Sequence, residues 1–372
     1  MAENQPADDT ATRIPIFDGH NDTLLGLDRG DRSFFERSDE GHVDLPRARA
    51  GGLAGGFFAV FVPDPGIEPD LTGDKAEEED IDTVAVRISD RYRDPAAMPP
   101  PMSLAYAQSR AMRMIANLFR LEAAANGAVK IVRTAAELQH CLATGTFAME
   151  LHIEGAEAID PDLDALEVFY QAGLRSLGIT WSRPNRFGYG VPFGFPSSPD
   201  TGPGLTDLGK ALVRACNKRR VLIDLSHLNE QGFWDVAAIT GAPLVATHSN
   251  VHAISPSSRN LTDKQLDAIR DSDGLVGLNF HVGFLRPDGE RSAETPLSVM
   301  ADHLDYLIER LGVDKVGLGS DFDGAMMPAA IGDATGLPHL IGELRGRGYD
   351  DATLRLIAAE NWLRVLEVTW GS

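Results

Sequence analysis

The first residues that could do chemistry stand at the end of a short apolar run near the N-terminus. Asp18, His20 and Asp22 follow the run 14–17 at alternate positions. Side chains alternate between the two faces of a strand, so we expect all three to project to the same side. One imidazole and two carboxylates at a strand end are raw material for a metal site. Alone, the H-x-D pair is a weak signal, because a solvated turn with Gly and Asn also explains it.

Ligand-type residues also end four later apolar runs. They are Glu154, His227, His248 and the pair Asp321 and Asp323. One polar strand end is easily explained as a solvated terminus. Five such ends at equivalent positions favour a shared site, because a parallel barrel collects the C-terminal ends of its strands at one rim.

Two metal ions fit this set better than one. A single catalytic zinc ion usually takes three protein ligands and a water molecule. His20, Asp22, Glu154, His227 and His248 already supply five. A carboxylate such as Glu154 can bridge two ions, which together can hold a hydroxide and polarise a carbonyl. The mixed imidazole and carboxylate set suits Zn²⁺ best, with Mn²⁺, Fe²⁺ or Co²⁺ as alternatives.

Eight short apolar runs must position these residues. Most are continuous rather than alternating, which is typical of parallel strands covered on both faces. Helical patterns lie between the later runs, for example after Thr262 and from Pro296 to Gly312. The alternation predicts an α/β fold, a (β/α)₈ TIM barrel, with an open parallel sheet as the alternative. The runs span residues 14–18, 56–62, 146–153, 174–180, 221–226, 243–247, 275–280 and 315–320.

The chain is predicted to form a single (β/α)₈ domain over residues 13–372, preceded by a disordered tail over 1–12. Residues 63–101 are dense in proline and acidic residues. They are expected to form a long insertion after the second strand, partly helical over 81–92. No internal repeat or second domain is indicated.

Composition excludes several classes of function. A formal net charge of −21 argues against an electrostatic grip on nucleic acid or anionic membranes. The polar, acidic N-terminus shows no apolar region of a secretory signal, and no apolar stretch is long enough to span a membrane, so a cytoplasmic protein is expected. Cys141 and Cys216 lie in helical patterns and are expected to be reduced, structural thiols.

Taken in order along the chain, the motifs resemble those of the membrane dipeptidase (renal dipeptidase) family of binuclear zinc peptidases. This is peptidase family M19 of the amidohydrolase superfamily. The resemblance extends from about Phe17 to the C-terminal NWLRVLE and implies a (β/α)₈ barrel. The matching stretches are DGHND (18–22), HIEGAEAI (152–159), RRVLIDLSH (219–227), THSN (247–250), SRN (258–260) and SDFDG (320–324).

This resemblance implies a role for each ligand-type residue. It implies that the chain binds two Zn²⁺ ions. His20 and Asp22 would bind one ion, His227 and His248 would bind the other, and Glu154 would bridge them.

The resemblance also implies how the substrate is held. Arg259 matches the arginine that pairs with the substrate's terminal carboxylate, and a guanidinium can grip a carboxylate bidentately. The alternative for Arg259 is a surface arginine beside a helix start. Asp321 matches the residue proposed to shuttle the proton. Its alternative is an acidic group that orients a metal-bound histidine.

Trp181 departs from the family pattern. Members related to the renal enzyme have a histidine at this place that contacts the substrate near the scissile carbonyl. An indole N–H donates one hydrogen bond but cannot accept a proton or carry charge. Substrate preference is therefore the open point. Asn185 is expected to be a compensating substrate contact, with Arg183 or Arg186 as alternatives.

The other histidines are expected to have simpler roles. His152 shares the face of Glu154 and is expected to hydrogen-bond behind the site. His281 either lines the pocket or packs. The remaining ones are expected on the surface or on helices: His42, His140, His252, His303 and His339.

The sequence thus predicts a binuclear zinc dipeptidase, a metalloprotease that cleaves dipeptides, including L-D dipeptides, by attack of a metal-bridging hydroxide. Asp321 would act as general base and then acid. One alternative is an amidohydrolase acting on N-acyl amino acids or another small amide or lactone. Another is a catalytically idle barrel that acts as a scaffold. The partner expected is a dipeptide substrate, with a homodimer left open.

Overall fold

The computed structural model describes residues 14–28, 32–65, 91–93, 98 and 100–371. The predicted tail over 1–12 lies outside these ranges, as does most of the predicted insertion with its expected helix over 81–92. The division of the chain into a tail, one domain and an insertion therefore stays a prediction.

Nine parallel strands are found in the described residues, and eight of them close into a barrel. Around the barrel the order is β1, β2, β4, β5, β6, β7, β8 and β9, and β9 returns to β1. The short β3 pairs with the start of β4 outside this ring. The strands are β1 (Ile16–Asn21), β2 (Leu53–Phe61), β3 (Val129–Ile131), β4 (Phe147–Glu154), β5 (Leu174–Gly178), β6 (Leu222–Asp224), β7 (Val245–Ala246), β8 (Leu275–Leu278) and β9 (Val316–Leu318).

The predicted TIM barrel is confirmed. Each of the eight apolar runs contains one of the eight barrel strands or overlaps it. β3 was not predicted, because its three residues, Val129 to Ile131, are too few to give a pattern. The strands are nearly all buried, as continuous apolar runs between helices and core require.

Helices surround the barrel. Thr262 caps its helix through a capping box with Gln265, and the helix after Pro296 ends at Gly312, as predicted. Among the described helices none combines the length and apolarity needed to cross a membrane. The helices are α1 (Thr23–Asp28), α2 (Leu45–Gly51), α3 (Leu104–Ala124), α4 (Ala135–Thr144), α5 (Asp164–Ala172), α6 (Asp207–Arg219), α7 (Glu230–Ile239), α8 (Asp263–Asp271), α9 (Val282–Leu285), α10 (Leu297–Leu311), α11 (Leu337–Gly346), α12 (Asp351–Arg355) and α13 (Asn361–Trp370).

The indole of Trp362 on α13 packs inside the barrel, beneath the ends of the strands. It is fully buried against Phe57, and its Nε1 donates to Leu318 O at 3.1 Å. The ring lies so close to β1 that a Cβ on Gly19 would meet Trp362 Cζ2 at 2.3 Å. Gly19 leaves the room that the indole needs. The indole ring therefore packs against β1 at Gly19, the residue directly before His20.

We predict that Trp362→Ala lowers the free energy of unfolding by about 3–5 kcal/mol, because it leaves a cavity that the barrel strands cannot close. Urea unfolding followed by circular dichroism measures the change. Val368→Ala on the same helix is the control, because Val368 is 56% exposed and should cost less than about 0.5 kcal/mol. Equal effects of the two substitutions would contradict the role given to Trp362.

Candidate metal centre

The structure brings the five sequence-predicted ligand residues together at the C-terminal rim of the barrel. His20 lies within β1 and Asp22 directly follows it, Glu154 ends β4, and His227 and His248 follow β6 and β7. All five are buried. This arrangement arises because parallel strands end at the same rim.

One carboxylate oxygen is the centre of the cluster. Glu154 Oε1 lies 3.0 Å from His227 Nε2, 3.5 Å from His248 Nε2 and 3.8 Å from His20 Nε2. His227 Nε2 and His248 Nε2 are 3.0 Å apart. Asp22 Oδ2 lies 3.5 Å from His20 Nε2 on the other side. Glu154 thus stands between a His20–Asp22 pair and a His227–His248 pair.

The polar atoms of this cluster fit a metal ion. Both ring nitrogens of His20 and Asp22 Oδ1 are buried and have no hydrogen-bond partner. Such atoms are costly unless something binds them. Donor atoms of His20, Glu154 and His248 lie within 4.8 Å of one another, as do those of His20, Asp22 and Asp321. Imidazole and carboxylate donors in such groups are typical of zinc and related metals.

The electrostatics also favour a cation. Burial lowers the pKa of His20, but the carboxylates of Glu154 and Asp22 outweigh burial and raise it to about 10. Burial raises the pKa of Glu154 well above its usual range. Burial, helped by positive neighbours that include Arg259, lowers the pKa of both His227 and His248. Those two imidazoles are neutral, as metal ligands must be.

Asp321 lies beside the His20–Asp22 pair. Its backbone N donates to His20 O at 3.0 Å, and its Oδ2 accepts from Asn279 Nδ2 at 2.8 Å. The backbone of Asp321 is left-handed, with φ +63°, and so is that of His227, with φ +65°. Such strain in residues other than glycine costs about 1–3 kcal/mol and concentrates at functional sites.

Asn279 was missed by the sequence analysis. Its Oδ1 accepts from His281 N at 2.6 Å, so the amide must present its NH₂ group to Asp321. The only hint in the sequence was that Asn279 directly follows β8, at the rim where the ligand-type residues lie. An asparagine at a strand end is too common to be singled out without a partner.

The expectation that His42 is a surface residue was wrong. His42 is buried, with its Nδ1 accepting from Asp323 N at 2.8 Å while its backbone N donates to Asp323 Oδ1 at 2.5 Å. Burial lowers the pKa of His42, which keeps this nitrogen an acceptor. Arg32 Nη2 also binds Asp323 Oδ2 at 2.6 Å. These contacts hold the turn that carries Asp321.

Arg259 is buried next to both second-pair histidines, so it is not a surface arginine. It is 3% exposed, and its three nitrogens donate to His227 Nδ1 at 3.2 Å, Ser249 Oγ at 3.0 Å and His248 O at 3.1 Å. Within the described residues no Asp or Glu forms an ion pair with it. Burial lowers its pKa to about 10, so the guanidinium stays charged at neutral pH. The carboxylates of Asp321, Asp224 and Glu154 attract it without direct contact, so it can still pair directly with an anionic ligand.

Trp181 lies against the metal centre within an aromatic wall. Its ring centroid is 5.7 Å from that of His227 and 5.0, 4.7 and 5.5 Å from those of Phe61, Tyr92 and Phe193. Trp181 is 7% exposed. The residue that departs from the family pattern therefore lies in ring contact with His227, one of the five candidate ligand residues.

Asn185 is placed differently from what the sequence suggested. Its Oδ1 accepts from Phe187 N at 2.8 Å and from Gly188 N at 3.3 Å, while its Nδ2 donates to Ile179 O at 2.8 Å. These contacts organise the loop after β5 rather than offering the amide to a substrate. Arg183 is likewise engaged, because its Nε donates to Glu157 Oε1 at 2.9 Å.

Three buried polar residues, Glu150, His152 and Ser176, form a hydrogen-bonded group next to the site. Ser176 Oγ donates to Glu150 Oε2 at 2.8 Å and lies 2.8 Å from His152 Nδ1. The imidazole of His152 packs edge-on against His20, with centroids 5.5 Å apart. Burial raises the pKa of Glu150 to about 8. This carboxyl is therefore largely protonated at neutral pH.

A closed parallel barrel whose rim gathers three imidazoles and two carboxylates is the architecture of a metal-dependent hydrolase. The family model described as membrane dipeptidase (peptidase family M19) matches residues 4–369. The chain therefore belongs to the membrane dipeptidase family, and the resemblance recognised in its motifs is confirmed.

Similar proteins agree with this assignment. A metallopeptidase from Rhodobacter sphaeroides, solved with a phosphinate mimic of the dipeptide L-Ala-D-Ala, is 50% identical, with 96% of this chain and 99% of that chain covered and a TM-score of 0.87. The structure of dipeptidase AC, a family M19 metallopeptidase, gives the same identity, coverage and TM-score. A Klebsiella pneumoniae protein described by its place in the pqqA 5′ region is 50% identical over 258 residues, 69% of this chain and 95% of its own length.

We predict that Glu150 makes the protein less stable as the pH rises. The carboxyl titrates near 4.5 when unfolded and near 8 when folded, so the folded state holds an extra proton between these values. Stability is full below about pH 4.5 and falls as the pH rises towards 8. Neutral Glu150→Gln removes this contribution. Urea unfolding at pH 5 and pH 8 should show a loss for the wild type that is larger, by a few kcal/mol, than the loss for Glu150→Gln.

The control for this measurement is Glu360→Gln, because Glu360 is exposed. It should leave the pH dependence of the wild type unchanged. A Glu150→Gln protein that loses as much stability as the wild type between the two pH values would show that Glu150 is ionised throughout.

Proposed function

We propose that this protein is a dipeptidase that binds two zinc ions and hydrolyses the peptide bond of dipeptides. The observation that carries the proposal is the convergence of three imidazoles on Glu154 Oε1. Family membership supports a dipeptide substrate. The Rhodobacter sphaeroides relative, with its L-Ala-D-Ala mimic, supports acceptance of a D-residue in the second position.

His20 and Asp22 would hold one zinc ion, His227 and His248 the other, and Glu154 both. The pairs of residues on either side of Glu154 support this division. Two zinc ions there would supply a water molecule activated near neutral pH and a Lewis acid for the scissile carbonyl.

Arg259 would bind the free carboxylate of the substrate. Its burial without direct contact to a described carboxylate supports this role, because an incoming carboxylate would form that contact. A guanidinium also matches a carboxylate in shape and hydrogen bonds. This contact would restrict the enzyme to substrates with a C-terminus close to the scissile bond.

Asp321 would take a proton from the attacking water and return it to the leaving amine, as general base and then acid. Asn279 already donates to its Oδ2, which leaves Oδ1 to carry the proton. The position of Asp321 beside His20 and Asp22 supports this role.

A second candidate substrate class, N-acyl amino acids, is favoured by Trp181. The indole stands beside His227 and Phe193, and this apolar surface can pack against an acyl group. Such substrates carry the same carboxylate for Arg259. Trp181 would then set the preference for the group on the amino side of the scissile bond.

The location and assembly of the protein stay predictions. Cys141 and Cys216 are buried and unpaired, which is compatible with the reducing cytoplasm. A homodimer is compatible with the fold and is a matter for measurement of mass in solution.

We predict that the metal-free protein is inactive and that activity returns as about two equivalents of zinc are added.

His248→Gln should bind about one zinc ion and lose at least about 10³-fold in kcat/KM, because it removes one of the two metal positions. Metal analysis and hydrolysis of L-Ala-L-Ala, L-Ala-D-Ala and N-acetyl-L-Ala measure these effects. Exposed His339→Gln is the control. Zinc-loaded wild type that hydrolyses no dipeptide would refute the proposal.

For Arg259 we predict that Arg259→Met reduces kcat/KM for a dipeptide by about 100-fold, mainly through KM, because it removes the partner of the terminal carboxylate. The C-terminal amide of the same dipeptide, already a poor substrate, should change little. Arg310→Met is the control, since Arg310 pairs with Asp267 on the outside of the barrel. If the dipeptide and its amide lose activity equally, Arg259 does not bind the carboxylate.

A further inference from the structure

We propose that Asp224, acting through Thr247, is a positioning residue that fixes the tautomer of His248 and so presents its Nε2 lone pair to the metal. The inference rests on the proposed function, because it concerns one of the proposed zinc ligands. None of the motif-derived roles includes Asp224 or Thr247.

The carboxylate of Asp224 accepts three hydrogen bonds, one from Ser226 and two from Thr247. Its Oδ1 receives Ser226 N at 3.0 Å and Thr247 N at 2.8 Å, and its Oδ2 receives Thr247 Oγ1 at 2.6 Å. Backbone N–H groups can only donate, so Oδ1 is an acceptor. The 2.6 Å contact has the length of a hydroxyl bound to a charged carboxylate. Asp224 is 1% exposed, so these donors replace water around its charge.

The tautomer of His248 follows from counting protons. A threonine hydroxyl has one proton, and Thr247 donates that proton to Asp224. The same oxygen lies 2.8 Å from His248 Nδ1 and can only accept there. His248 Nδ1 therefore carries the imidazole proton. The lone pair is then on Nε2, which faces Glu154 Oε1 at 3.5 Å.

Hydrogen bonds also hold the backbone of Ser226 and His248, in the segments that follow β6 and β7. His248 N donates to Ser226 Oγ at 3.0 Å, and Ser226 N donates to Asp224. The ends of β6 and β7 are thereby tied to each other. Metal-binding histidines generally donate their second N–H to a carboxylate or carbonyl. Here a hydroxyl stands between the imidazole and the carboxylate, since His248 Nδ1 is 3.8 Å from Asp224 Oδ2.

The surroundings of His227 differ from those of His248. Its Nδ1 faces Ser182 Oγ at 2.7 Å and Arg259 Nε at 3.2 Å. An arginine nitrogen can only donate, whereas a serine hydroxyl can donate or accept, so these contacts favour a lone pair on His227 Nδ1. Because the Nε2 atoms of His227 and His248 are 3.0 Å apart, loss of the Asp224–Thr247 contact is read from the Nδ1 signal of His248 itself.

The test compares Thr247→Val, which keeps the shape of the side chain but lacks the hydroxyl, with Thr247→Ser, which keeps the hydroxyl. Asp224→Asn is the third variant, because an amide can reverse the direction of the Thr247 hydroxyl. Two measurements are made. One is the ¹⁵N spectrum of histidine-labelled, zinc-free protein, with His248 assigned by its loss in His248→Gln. The other is zinc affinity by competition with a chelating dye.

In wild type and Thr247→Ser, the His248 signals should show a protonated Nδ1. In Thr247→Val and Asp224→Asn this signature should be lost, and one of the two zinc ions should bind about 10–100-fold more weakly. Unfolding midpoints close to that of the wild type show that the variants are folded. Equal zinc affinity and an unchanged His248 spectrum in Thr247→Val would overturn the inference. Wild type that binds no zinc would instead refute the proposed function, while the zinc-free spectrum would still decide the tautomer.

Discussion

The site depends on one electrostatic constraint, the convergence of three buried imidazoles on a single Glu154 oxygen. Neighbouring carboxylates raise the pKa of His20 while burial raises that of Glu154, so without metal the cluster holds protons. A cation would replace those protons and satisfy the nitrogens of His20 that have no partner. Breaking a buried group of charges by removing one member is costly, because the others are left uncompensated. The ligands are therefore interdependent.

Rigidity below and beside the cluster holds it in place. Trp362 fills the barrel directly under Gly19, which fixes the strand that carries His20. Asp321 reaches the same region from a left-handed backbone held by the contacts of Asp323 with Arg32 and His42. A strained conformation persists only where its surroundings enforce it. The turn thereby holds the carboxylate of Asp321 next to His20.

Much of the fold and of the ligand set could be predicted from the sequence, for a physical reason. Continuous apolar runs mark strands buried on both faces, and the residue type that ends each run is visible without coordinates. The predictions that failed are those that depend on hydrogen-bond partners. His42 and Asn279 look ordinary until Asp323 and Asp321 are seen beside them. Asn185 looked available for substrate, but backbone groups of its own loop use its amide. Contacts between residues far apart in sequence leave no local pattern.

The charge of the chain bears on how an anionic substrate reaches the site. The net charge of −21 would repel a carboxylate at long range, but salt screens exposed charges beyond about 8 Å. At short range Arg259 offers a positive charge, because its guanidinium is buried beside the neutral imidazoles of His227 and His248. It is only 3% exposed, so a carboxylate must enter the rim to reach it. The end of a short substrate can do so, whereas the middle of a long peptide has no carboxylate to offer. On the proposed function, selection for short substrates would follow from the burial of this positive charge.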